Sequence, residues 1–147
     1  MRFKSSCLSK ARRHYTITMF TEPVAKGRPR AGKNRVFTPK KTREATSKMA
    51  QCLEKFIRDE DITPYAKGEA LRVSIRFTAK RTKAQGKGDC IPKTTKPDID
   101  NYIKLVLDAA NASGIWHDDS QVVEILAQKV YAADYIEPNV TFEVRPL

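Results

Sequence analysis

A chain of 147 residues is long enough to bury one core and short for two, so a single domain is expected. Twenty-eight Lys and Arg against 17 Asp and Glu give a formal net charge of +11, and no run of 18 or more residues is apolar, which excludes a membrane-spanning helix and favours a polyanionic partner. Cys7, Cys52 and Cys90 are too dispersed for a disulfide framework or a paired-cysteine metal site, and no signal-peptide core is present, so a soluble cytoplasmic protein is expected.

In chain order, residues 1–14 carry Arg2, Lys4, Lys10, Arg12 and Arg13 with little to bury and read as a mobile basic arm ahead of a domain spanning 15–147. Tyr15 to Phe20 alternates and is β-branched, which predicts a strand. A Gly/Pro-punctuated loop follows, with Lys26, Arg28, Arg30, Lys33 and Arg35 spaced along it; guanidinium groups on such a loop can fork onto phosphates, and a solvated loop is the alternative. Thr38-Pro39 has the form of an N-cap with Pro at the first helical position, and Ala45, Met49, Leu53 and Phe56 at helical spacing predict a helix over roughly 39–59. Met49 and Cys52 read as core. Leu71, Val73, Ile75 and Phe77 alternate with polar residues as a half-buried strand. Residues 80–95 carry Lys80, Arg81, Lys83, Lys87 and Lys93 with two glycines, which predicts a flexible basic loop that orders on nucleic acid or serves only as a linker.

Lys96-Pro97-Asp98-Ile99-Asp100 then opens a second helix, since Pro97 disfavours helix at Lys96, Asp98 suits an N-cap, and the apolar stripe runs Ile99, Ile103, Val106, Leu107 and Ala110. Asp98 and Asp100 straddle the helix start, where two carboxylates can aim at one hard divalent cation; capping and dipole pairing are the alternative. Lys104 stands four residues after Asp100, as an ion-pair partner or as a charge for a transition state. Ser113-Gly114 ends the helix, and Asp118-Asp119 follows before a strand over Val122–Tyr131, read as central. Four gathered carboxylates would repel one another without a cation between them. Trp116 reads as an anchor, and His117 as a loop residue beside the carboxylates. Val140, Phe142 and Val144 give a last strand, paired in a final hairpin. The expected fold is α+β and two-layered, a roughly four-stranded mixed sheet against two main helices.

The sign of the charge is unevenly shared: residues 1–97 hold 25 basic and 8 acidic side chains, residues 98–147 hold 3 and 9. A basic body carries an acidic segment, which would repel phosphate unless a metal bridged the two.

Lys96-Pro97-Asp98-Ile99-Asp100-Asn101, with Lys104, Leu107-Asp108-Ala109 and Asn111, and then Gly114-Ile115-Trp116-His117-Asp118-Asp119-Ser120-Gln121-Val122-Val123, resembles the RusA family of Holliday junction resolvases. The agreement is sharpest over about a fifth of the chain and weaker in Arg28-Pro29-Arg30 and Phe37-Thr38-Pro39-Lys40; Ala110 and Pro97 depart from residues common in the family. The resemblance implies metal binding at Asp98, Asp100 and Asp119, with Asp118 auxiliary, and Lys104 as the catalytic lysine. It further implies a homodimer making paired symmetric nicks in four-way junction DNA; the acids suit Mg²⁺, with Mn²⁺ as a substitute, and by their charge Lys26, Arg28, Arg30, Lys33, Arg35, Lys80, Arg81, Lys83 and Lys96 are the expected DNA contacts. Two rivals share part of the pattern: another metal-dependent phosphodiesterase acting on flaps or RNA, and a branched-DNA-binding module without catalysis.

Overall fold

Period-two alternation builds a sheet with one apolar face, and two amphipathic helices cover it. The computed structural model describes residues 1–9, 13–28, 30–31 and 36–147. Its elements are β1 (Arg2–Ser9), β2 (His14–Phe20), β3 (Arg30–Ala31), β4 (Val36–Phe37), α1 (Lys40–Asp59), β5 (Leu71–Ala79), β6 (Ile91–Pro92), α2 (Ile99–Ser113), β7 (Val122–Tyr131) and β8 (Asn139–Pro146). The main sheet has the order β1-β2-β8-β5-β7-β6, and β3 and β4 pair apart from it. Among the described strands only β5 and β7 run parallel, joined by the crossover that contains α2.

Register sets the core. Ile17 and Ile75 both stand opposite Phe142, while Tyr15 and Val73 both stand opposite Val144, so three strands present one continuous apolar face. Met49, Leu53 and Phe56 of α1 and Tyr102, Leu105, Val106 and Ala109 of α2 bury against it. Phe77 stacks on Tyr102 with ring centroids 4.9 Å apart, fixing the first turn of α2 over the C-terminal end of β5. At the other end, Trp116 packs edge-on against Phe142 and donates from Nε1 to Asn111 Oδ1 at 2.5 Å, the anchoring role expected of it. Cys52 lies within this core, and burial pushes its thiol up to about 11, so it is packing rather than chemistry.

Several expectations need correction. The sheet has six strands, not four. The N-terminal segment is not a free arm over residues 2–9: it pairs along β2 from Arg2 opposite Phe20, and Phe3 meets Phe56 edge-on. An edge strand needs main-chain hydrogen bonds and a single apolar contact, so its polar composition hid it. The final hairpin does not form, because β8 inserts between β2 and β5. β7 is correspondingly not central; β6 covers only its Val130 and Tyr131 end. Helix α1 has Pro39 rather than Thr38 at its N-cap, with no side-chain cap. Within the 80–95 loop, whose flexibility is a separate matter, Arg81 donates to the carbonyls of Gly86 and Asp89, a 3-10 turn spans Lys83–Gln85, and Lys93 is buried. No helix among the described residues is long and apolar enough to cross a membrane.

Candidate active site

The start of α2 is set by its sequence. Asp98 occupies the N-cap with extended backbone, as expected, but its carboxylate makes no cap hydrogen bond. It turns instead to Lys96, whose Nζ lies 2.7 Å from both carboxylate oxygens. Asp100, in the first turn, accepts from Lys104 Nζ at 3.1 Å, and that hydrogen bond holds its carboxyl below the usual carboxylate range. Each acid of the pair therefore has an ammonium partner, and both pairs are more than half exposed. Ion pairs with that exposure are weak, and a divalent cation of higher charge can displace them. Two outward-facing carboxylates suit a hard cation that keeps most of its water.

The downstream acids lie elsewhere. Asp118 accepts from the Ser120 amide at 2.9 Å and caps the 3-10 turn Asp119–Gln121, which lowers its pKa. Buried Gln121 fixes this loop by accepting the His117 and Asp118 amides and donating to the carbonyls of Ala66 and Glu69. That anchor is at the Leu71 end of β5, since Leu71 stands opposite Val122, whereas Lys129 and the start of α2 are at the Phe77 end. The 15 residues of α2 separate the two acidic pairs, roughly 22 Å at the helical rise. Asp118 and Asp119 thus do not join Asp98 and Asp100 within one chain. No group of three His, Cys, Asp or Glu able to hold a metal occurs among the described residues. His117 is exposed and lies with Asp118, away from the α2 start.

Several basic residues lie at the Asp98 end of the sheet. The Lys26 amide donates to the Asn101 carbonyl at 2.8 Å, which docks the Lys26–Arg28 loop on the first turn of α2. Lys26 itself pairs with Asp108 at 2.6 Å, and Arg28 is exposed. Lys80 and Lys83 follow β5 at the same end, exposed, with no carboxylate pairing their ammonium groups among the described residues. Arg81 differs: its side chain is 9 % exposed and is spent on the loop and on Asp134, so it shapes the loop rather than offering a free phosphate contact. The Arg30 backbone lies in β3; its side chain, Lys33 and Arg35 lie outside the described residues.

Sequence reasoning missed two further residues. Lys93 and Lys129 both donate to the backbone leading into Asp98. No sequence signal marks either, because their burial depends on the pairing of β6 with β7.

The family model described as endodeoxyribonuclease RusA matches residues 21–145. A Bacillus subtilis (strain 168) protein described as uncharacterized protein YqaN is 36 % identical over 139 residues, covering 88 % of this chain and 94 % of that protein. With the acid–lysine motif at the start of α2 and a family match across most of the fold, the chain belongs to the RusA endodeoxyribonuclease family, enzymes that hydrolyse the phosphodiester bonds of DNA.

Proposed function

We propose that the protein is a Mg²⁺-dependent, structure-selective endodeoxyribonuclease that resolves four-way junctions by paired symmetric nicks, acting as a homodimer in the cytoplasm. The observation that carries this reading is the pairing of Asp98 with Lys96 and of Asp100 with Lys104 at the start of α2, at the end of the sheet where exposed Lys80 and Lys83 follow β5. The cations draw in the backbone of branched DNA, and the acids stand where its phosphate would arrive. A bound divalent cation, Mg²⁺ or Mn²⁺ in its place, supplies charge neutralisation at the scissile phosphate and a more acidic water. Asp98 and Asp100 would hold it, which would leave Lys96 and Lys104 free to donate to phosphate oxygens. Lys104 then stabilises the charge developing on the leaving oxygen as a compact point charge.

The third carboxylate comes from a second copy. From Val122 to Gln128 the outer edge of β7 has no strand partner among the described residues, and it carries exposed Val123, Ile125 and Leu126. An exposed apolar edge is a pairing surface. Antiparallel pairing with the same strand about a twofold axis near Ile125 would carry Asp119 of the partner subunit to the β6 side of the Asp98 site, and produce two sites related by the dimer axis. Twofold sites match the symmetry of a four-way junction and paired nicks. Asp118, capping its turn, sets the orientation of Asp119.

The reading is tested by Asp100→Asn. Cleavage of a labelled four-way junction should fall to background, while junction affinity in a gel-shift assay is kept or tightened because one repelling charge is gone. Wild-type cleavage by this variant would contradict it.

A further inference from the structure

Two ammonium groups converge on one short run of backbone. Lys93 Nζ donates to Thr95 Oγ1 at 2.6 Å, to the Lys96 carbonyl at 2.7 Å and to the Thr95 carbonyl at 3.4 Å. Lys129 Nζ donates to the same Thr95 carbonyl at 2.8 Å and to the Pro97 carbonyl at 2.7 Å. Every carbonyl from Thr95 to Pro97 accepts from a lysine, and the next residue is Asp98. Tyr131 completes the cluster: its hydroxyl shares a hydrogen bond with Thr95 Oγ1 at 2.8 Å, and its ring centroid lies 5.0 Å from Lys93 Nζ.

Neither lysine has a carboxylate partner among the described residues, and Lys93 is only 8 % exposed. A buried ammonium is usually paired with an acid, because its desolvation is costly. Here carbonyl dipoles and an aromatic face take that role, and all the polar donors go to one segment. That segment aims a carboxylate which α2 itself leaves unheld, since Asp98 makes no cap hydrogen bond.

We propose that Lys93 and Lys129 are positioning residues for the cation site, fixing the Thr95–Pro97 backbone so that Asp98 converges with Asp100. The proposal rests on the reading of Asp98 and Asp100 as cation ligands. A purely electrostatic role has the opposite sign: two positive charges near the site repel a divalent cation, so removing one would tighten its binding. A positioning role predicts loosening, on the scale of roughly 10- to 100-fold seen when residues that orient metal ligands are lost.

The experiment measures Mn²⁺ binding by calorimetry and amide hydrogen exchange over residues 95–101, in the wild type and in Lys93→Met, Lys129→Met and Lys129→Arg. Lys129 is half-buried, so its variants test the idea where folding is least at risk. Both Met variants should bind Mn²⁺ about tenfold more weakly or worse and exchange faster at Asp98–Asn101, with Lys129→Arg recovering most of both. Met variants that bind Mn²⁺ as tightly as the wild type or more tightly, or that leave exchange unchanged, overturn the proposal alone. A wild type that binds no Mn²⁺ overturns the cation reading beneath it.

Discussion

Asp98 and Asp100 stand at one end of α2 and Asp119 beyond the other, so one cation held by all three requires two chains. Mixing two inactive variants tests this. Asp100→Asn and Asp119→Asn should each lose junction cleavage. In a mixed dimer, one site then carries both substitutions and the other carries neither, because each site takes Asp100 from one chain and Asp119 from its partner. Equal amounts refolded together give about half mixed dimers, each with one intact site of two, so about a quarter of all sites work. The assay is nicking of a labelled four-way junction, and the expected outcome is about a quarter of the wild-type nicking rate, appearing as single rather than paired nicks. If the three carboxylates served a site within one chain, every site would carry a substitution. Activity at the background of the separate variants would rule out a site shared between two chains.

Three further outcomes are expected. Leu126→Arg, on the exposed edge of β7, should convert the dimer to monomer by light scattering and abolish cleavage with the melting temperature little changed; a dimeric variant would place the interface elsewhere. Lys104→Met removes the hydrogen bond that depresses the Asp100 pKa. A depressed carboxylate stays ionised to lower pH, so the variant should lose Mn²⁺ on acidification at a higher pH than the wild type, and a coincident profile would remove Lys104 from contact with Asp100. Lys83→Ala should reduce the salt dependence of junction binding by about one counterion, whereas Arg81→Ala, whose side chain holds the 80–89 loop, should lower the melting temperature as well; equal effects would erase that distinction.

What the sequence made legible was local. The Pro97 boundary, the two flanking acids, Lys104 one turn on and the Gly114 stop are relations within a few residues, and α2 follows them closely. Pairings between distant segments were not legible. Alternation marks which face of β8 is buried, yet says nothing about β8 entering between β2 and β5. Nearness in sequence also misled at the site: Asp118 and Asp119 are a short stretch from Asp100, but a helix intervenes and carries them to the far end of the sheet. In the basic loop, every lysine counted alike by charge. Only the fold separates exposed Lys83 from buried Lys93, because burial depends on Thr95 and Tyr131 being brought over it.

Junction selectivity and metal dependence are both read from cleavage of a labelled synthetic four-way junction, beside a matched linear duplex and a single-stranded RNA, each with Mg²⁺ and with chelator. Paired nicks at symmetric positions are expected in the junction alone, abolished by chelator. Cleavage of the duplex or the RNA as fast as the junction, or junction nicking that persists in chelator, would contradict it.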